Sequence, residues 1–202
     1  MRIQKLMSVF LGVLFLLGAG ARLVSAAENS QEKERFAAWA VNLGGAVKSG
    51  QVQITIERWS TPEERQQLIA AFNEGGQKAM LKVLTKLEKV GFIRLPQTLG
   101  YELHYAYQFP AEGGGRTIVI ATDRKMSARE VSNPTSMDYP FELIQMELDK
   151  EGKGEGRVSW ATKISKSKDG TRIELENYGT APVMLQSVHT SVEKAEEKEP
   201  EK

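Results

Sequence analysis

The sequence predicts an α+β domain: a mostly antiparallel β barrel or sandwich of about eight or nine strands, with a two-helix insertion near the N-terminal end. Three observations predict it. Apolar residues recur at every second position in several stretches, as Val52, Ile54 and Ile56 do between Gln51, Gln53, Thr55 and Glu57, the period of a strand with one wet face. Glycine-containing clusters at 112–115, 152–156, 168–170 and 177–179 separate such stretches, and residues tolerant of positive φ there make hairpins and hence antiparallel neighbours. Over residues 62–90 the period lengthens from that of a strand to that of a helix.

The elements follow in order. Residues 1–26 have the layout of a cleavable export signal: Arg2 and Lys5, an uncharged apolar run over 6–21, then Val24-Ser25-Ala26 before Ala27. The run is shorter than the roughly 20 apolar residues that cross a bilayer, and no later run is long enough, so no membrane span is expected after cleavage. Residues 27–35 are read as a short disordered leader. Residues 36–43 fit either a helix or the first arm of a hairpin, and are read as a strand. Ser60-Thr61-Pro62-Glu63-Glu64 announces a helix, with a hydroxyl cap, proline at the first helical position, carboxylates at the positive end of the dipole and a capping box from Thr61 to Glu64. Gly75-Gly76 interrupts it, and a second helix is expected over 77–90 with Gly91 as its stop. Lys78, Lys82, Lys86 and Lys89 form a basic stripe there, read as a solvated face.

Beyond Gly91 the chain turns to strands. Tyr101, Leu103, Tyr105, Tyr107 and Phe109 are expected on one face of a single strand, residues 116–123 form a strand apolar on both sides, and Val158, Trp160, Thr162 and Ile164 share a face of another. In 141–149 the apolar parity changes after Leu143, which suggests a bulge. Residues 172–176 and 183–188 complete the set, the former with solvated Glu174 and Glu176 between buried apolar neighbours. The single domain spans 36–190, and residues 191–202, nearly all charged or small, make a disordered tail.

Composition narrows the function classes. The chain has 27 basic and 26 acidic residues; without residues 1–26, which hold Arg2, Lys5 and Arg22, it would carry 24 against 26. That balance argues against a nucleic-acid binder, which should show a concentrated basic footprint. With no cysteine in the chain, an exported product must rely on a hydrophobic core rather than disulfides.

No catalytic or metal signature is present. The glycine runs join strand to strand, whereas a phosphate cradle must open a helix. His104 and His189 lack the paired spacing of a zinc site, so no metal and no cofactor is expected, and His104 is read as an exposed side chain. No Gly-x-Ser-x-Gly elbow occurs, and a set such as Ser136, His104 and Asp138 would have to be assembled from distant positions. The region that stands out is 124–140, the longest connection between strands. Its Arg129, Glu130, Asn133, Ser136, Asp138 and Tyr139 are the candidate contacts for a ligand or partner, with backbone satisfaction by Ser136 and Asp138 as the plain alternative.

Arg58-Trp59-Ser60-Thr61, Gly91-Phe92-Ile93-Arg94, Leu99-Gly100-Tyr101-Glu102-Leu103, Ala121-Thr122-Asp123-Arg124, Met137-Asp138-Tyr139-Pro140-Phe141, Gly154-Glu155-Gly156 and Leu175-Glu176-Asn177-Tyr178 together resemble an uncharacterised family of exported bacterial proteins. The resemblance implies a periplasmic or secreted location and assigns no activity. The element order also resembles the helix-grip arrangement that encloses apolar ligands, without that fold's long C-terminal helix. The resulting expectation is an exported, non-enzymatic protein that binds a small molecule or an envelope protein. The alternatives are a hydrolase or isomerase whose acid and base come from separate strands, and a structural envelope component.

Overall fold

The computed structural model of the chain describes residues 33–41, 49–94, 100–124, 137–166, 173–177 and 182–191. The expected signal at 1–26, the tail beyond residue 191 and the turns at 168–170 and 178–179 lie outside them. The described residues form β1 (Glu34–Val41), β2 (Gly50–Ile56), α1 (Pro62–Leu84), β3 (Gly91–Arg94), β4 (Tyr101–Leu103), β5 (Tyr105–Pro110), β6 (Arg116–Asp123), β7 (Phe141–Leu148), β8 (Lys153–Lys166), β9 (Ile173–Asn177) and β10 (Val183–Ser191). Residues 36–41 are thus strand, and β1 begins at Glu34.

Every strand pairing is antiparallel, in the order β4-β3-β2-β1-β10-β8-β7-β6-β5, with β9 also on β8. The two ends of this path, β4 and β5, are consecutive in the chain and separated only by His104. Tyr101 to Leu103 pair with β3 and Tyr105 to Pro110 with β6, so one bent segment brings the sheet round into a nearly closed barrel. The architecture is an up-and-down meander with α1 inserted between β2 and β3.

Each strand of the closed path supplies side chains to one interior cluster, including Phe36, Val52, Ile54, Ile93, Leu103, Ala106, Ile118, Ile120, Ile144, Met146, Val158, Leu185 and Val188. Burying each of the larger ones stabilises the fold by about 1.5–3 kcal/mol, so the interior is the main source of stability. A second cluster lies outside the sheet: Leu68, Phe72 and Leu84 of α1 pack on Tyr105, Ala121, Phe141 and Ile164. That covering explains why Phe141 and Leu143 are apolar at positions facing away from the interior.

Several expectations are corrected. The insertion is one helical element rather than two: Gly75 and Gly76, at φ/ψ of -132/15 and 63/-157, turn α1 sharply without separating it. Its N-terminal capping box from Thr61 to Glu64 is present. Its C-terminus is Leu84 with Thr85 as cap rather than a stop at Gly91, which lies in β3 where the carbonyl of Thr55 on β2 leaves no room for a Cβ. The face of 101–109 switches at His104: Leu103 and Ala106 point inward, while Tyr105 and Tyr107 point outward against α1. In β8, Leu143 pairs with Ser159 and Phe141 with Thr162, so the bulge places its extra residue on β8. Val158 and Trp160 consequently belong to the interior whereas Ile164 lies under α1. Gly152, at φ 75, makes the β7–β8 turn as expected, but Gly154 and Gly156 belong to β8 itself. Leu175 of β9 is 46% exposed rather than buried.

Candidate functional site

Strand directions give the barrel two ends. At one end lie the start of β1, the end of β2, the turns β5–β6 and β7–β8, and both junctions of α1. At the other lie the connections β1–β2, β3–β4, β6–β7 and β8–β9. The interior is apolar between them and polar at each end.

The α1-junction end is closed by an ion-pair network, beside which Trp59 Nε1 and Arg58 Nε are buried without a hydrogen-bond partner among the described residues. Glu34, Gln108 and Arg116 all occupy inward positions, by parity with Phe36, Ala106 and Ile118. Arg116 reaches across the barrel and donates from Nη1 to Glu34 Oε1 at 3.0 Å and to Gln108 Oε1 at 2.9 Å, and from Nη2 to Glu34 Oε2 at 2.6 Å. Its guanidinium also lies 5.7 Å from the centre of the Phe36 ring. This bidentate pair, geometrically the strongest kind, plugs that end.

The opposite end is built differently. Glu142 on β7 has the inward parity of Ile144, Met146 and Leu148 and is only 4% exposed. It stands in register with Thr122 of β6, whose hydroxyl donates to the Glu102 carbonyl at 2.8 Å. On β8 the bulge brings Trp160 into the same layer, and Tyr101 packs edge-on against it at 6.3 Å between ring centres. Glu142 Oε1 and Trp160 Nε1, one acceptor and one donor, are both buried without a hydrogen-bond partner among the described residues. Leaving such an atom unpaired costs about 1–3 kcal/mol. Burial pushes the Glu142 carboxyl up to about 7, opposed by the nearby Arg124 guanidinium and reinforced by the charge of Asp123.

Connection 124–140 springs from this layer. Arg124 donates its backbone N–H to the Pro140 carbonyl at 2.7 Å, closing the base of the connection, and its Nε lies 3.4 Å from the Tyr139 carbonyl. Of the six candidate residues, Arg129, Glu130, Asn133 and Ser136 lie outside the described residues. Asp138 is exposed, and its carbonyl accepts from Gln77 Nε2 at 3.0 Å, while Gln77 Oε1 accepts the Ile164 N–H at 3.1 Å. Tyr139 donates its hydroxyl to Glu176 Oε1 at 2.7 Å. Both described candidates therefore tie the root of the connection to α1 and β9.

His104 is half-buried rather than exposed. Its Nδ1 lies 3.2 Å from the Leu87 carbonyl and its Nε2 3.6 Å from Asp123 Oδ1. The latter separation exceeds hydrogen-bond reach, and neither residue lines either of two open surface depressions. One of these, about 350 Å³, lies beside the α1 turn, between Phe72, Gln77, Ile164 and Lys166; the other, about 340 Å³, lies by Pro110, Arg116 and Lys150. No group of three or more His, Cys, Asp or Glu that could hold a metal ion occurs among the described residues, and no described helix is long and apolar enough to cross a membrane.

Sequence reasoning missed Glu142, Trp160 and the Glu34–Arg116 pair. The signal for Glu142 was available: a carboxylate at the inward parity of Ile144, Met146 and Leu148. Reading the parity change after Leu143 as a slip of β7 hid it. No family model matches the chain, and neither a curated protein nor a solved structure does.

Proposed function

We propose that this is an exported, non-enzymatic binding protein that captures a small molecule or a segment of an envelope protein at the barrel end bearing Glu142, Trp160 and the root of connection 124–140. The observation that carries the reading is the contrast between the two polar layers. The Glu34–Arg116 layer pairs its own charges, whereas the Glu142 layer holds a buried acceptor and a buried donor with no hydrogen-bond partner among the described residues. Buried polar atoms in native proteins are almost always satisfied, so two such atoms in the layer that also holds the base of connection 124–140 favour a ligand that supplies the complementary groups. The apolar interior favours binding at this mouth over enclosure of a ligand deep in the barrel. The acid–base alternative finds little support in the approach of His104 and Asp123, whose 3.6 Å separation exceeds hydrogen-bond reach.

The test is native mass spectrometry of the protein purified from the cells that make it, beside Trp160→Phe and Glu142→Gln. A co-purifying mass carried by the parent and lost from both variants is the expected result. A bare polypeptide mass from the parent, or an adduct that both variants retain, would refute the reading.

A further inference from the structure

The inward row of β6 begins and ends with an arginine. Arg116, Ile118, Ile120 and Thr122 alternate along it, and the pairing with β7 continues one residue past the strand, where Arg124 donates its N–H to the Pro140 carbonyl. Arg124 therefore shares their parity. Each arginine has an inward glutamate on another strand. At the α1-junction end Arg116 grips Glu34 with bonds of 3.0 and 2.6 Å. At the other end Glu142 is in register with Thr122, so Arg124 stands diagonal to it across β6 and β7, a separation of about 7–8 Å that a long side chain can bridge. There Glu142 Oε1 has no hydrogen-bond partner among the described residues, and Arg124 instead approaches the Tyr139 carbonyl with its Nε at 3.4 Å.

Charge decides which of two arrangements this end adopts. A carboxyl only 4% exposed is tolerated as the neutral acid, whereas a carboxylate in the same place needs a cation beside it. Burial raises the Glu142 carboxyl to about 7, the Arg124 guanidinium opposes that rise and the Asp123 charge reinforces it, so the field of Arg124 already reaches the group. Tyr101 of β4, Thr122 of β6 and Trp160 of β8 bring no carboxylate or cation to the layer. Lys163, further along β8, is held 3.7 Å from Glu176, and His104 stands 3.6 Å from Asp123.

From this arrangement we infer that Glu142 and Arg124 form a proton-controlled latch: protonated, Glu142 offers its carboxyl to a ligand, and proton loss draws the Arg124 guanidinium onto the carboxylate and withdraws it. The latch regulates the mouth described above and rests on the binding reading for its purpose. Its closed form repeats at this end what Arg116 and Glu34 already make at the other, a guanidinium and a carboxylate pairing across the barrel. Closing gives up only the long contact with the Tyr139 carbonyl on the side of Nε, while the backbone bond from Arg124 to Pro140 stays in place as the pivot. Ligand is therefore held at the acid side of the transition and released at the alkaline side.

The test is an NMR titration of the ¹⁵N-labelled full protein from pH 4.5 to 8.5, with nothing added, following the Trp160 indole N–H and the Arg124 Nε–H. We expect the two signals to move together with a midpoint between about 4.5 and about 7. At pH 8 the Arg124 Nε–H should exchange with water about tenfold more slowly than in Glu142→Gln. The transition should vanish in Glu142→Gln, persist in His104→Gln, and move up by about one pH unit in Arg124→Gln. No transition in the parent, or a Trp160 signal that titrates while Arg124 stays unmoved, would overturn the latch. Native mass spectrometry at pH 5.5 and pH 8 then follows the co-purifying mass, whose occupancy should fall about fivefold at the higher pH in the parent and much less in Arg124→Gln. A pair that titrates in a protein carrying no such mass supports the latch and refutes the binding reading. A mass equally abundant at both pH values keeps the binding reading and overturns the latch.

Discussion

Leu103 and Ala106 both face the barrel interior although an odd number of positions separates them. A regular strand cannot do this, because its side chains alternate. His104 absorbs the difference, ending the pairing with β3 and starting the pairing with β6. The residue that joins the two ends of the sheet is also the residue that moves Tyr105 and Tyr107 to the outside, where α1 covers them.

Deleting His104 should therefore be far worse than replacing it. Deletion leaves β5 with the wrong parity and turns Tyr105 and Tyr107 into the filled interior, and we expect loss of cooperative unfolding. His104→Ala keeps the register and loses the contact with the Leu87 carbonyl, for a cost of about 1 kcal/mol in a urea melt.

The Glu142 carboxyl gives a signed pH dependence. Its acid form is favoured in the folded state, so the stability it contributes is complete below its ordinary value near 4.5, declines as pH rises through the interval up to about 7, and is absent above it. The full difference is on the order of 3 kcal/mol. Glu63 and Asp149, held below their ordinary values chiefly by backbone hydrogen bonds, act with the opposite sign and only at more acid pH. The measurement is the difference in unfolding free energy between the parent and Glu142→Gln from pH 4.5 to 7.5. It should favour the variant increasingly as pH rises, and a flat difference would show that Glu142 is not the titrating group.

The plug at the other end predicts a cost for a residue that composition places in a leader. Glu34→Gln removes the charge that Arg116 grips across the barrel and should cost roughly 1–2 kcal/mol, since the pair is only partly buried. A protein starting at Phe36 should lose at least as much, measured by its thermal midpoint.

Two glycines should respond differently to alanine. At Gly91 a Cβ would meet the backbone carbonyl of Thr55, which cannot move without breaking the β2–β3 pairing, so Gly91→Ala should cost about 3 kcal/mol or more. Gly76 has open space but sits at φ 63, ψ -157, a region populated essentially by glycine alone, so Gly76→Ala should cost the backbone strain of about 1–3 kcal/mol and no clash. Denaturant midpoints of the two variants check the order.

How far the sequence revealed this molecule depends on the range of the interactions involved. The Thr61–Glu64 cap, the alternation of Val52, Ile54 and Ile56, and the glycine turns at 113–114 and 152 are set by near neighbours in the chain, and all were legible. What was not legible depends on distant partners. Tyr101 to Phe109 alternate without a break, and only the competing demands of β3 and β6 reveal a change of face at His104. The outward apolar positions Phe141 and Leu143 are explained by α1, far away in sequence. Connection 124–140, chosen for its length, joins the same end of the barrel as Glu142 and Trp160. The atoms that make that end chemically distinctive belong to Glu142 and Trp160, inward residues of strands whose parity was misread.

The central claim is that recognition takes place at the Glu142 end, and the three tryptophans provide separate reporters of it: Trp39 on the outer face, Trp59 where β2 leads into α1, and Trp160 in the mouth layer. The most direct measurement is an NMR titration of the indole N–H signals of ¹⁵N-labelled protein with the molecule released from the purified native complex. The account predicts that the Trp160 signal moves and saturates while those of Trp39 and Trp59 stay in place. A saturating shift at either of those two with Trp160 unmoved would contradict it.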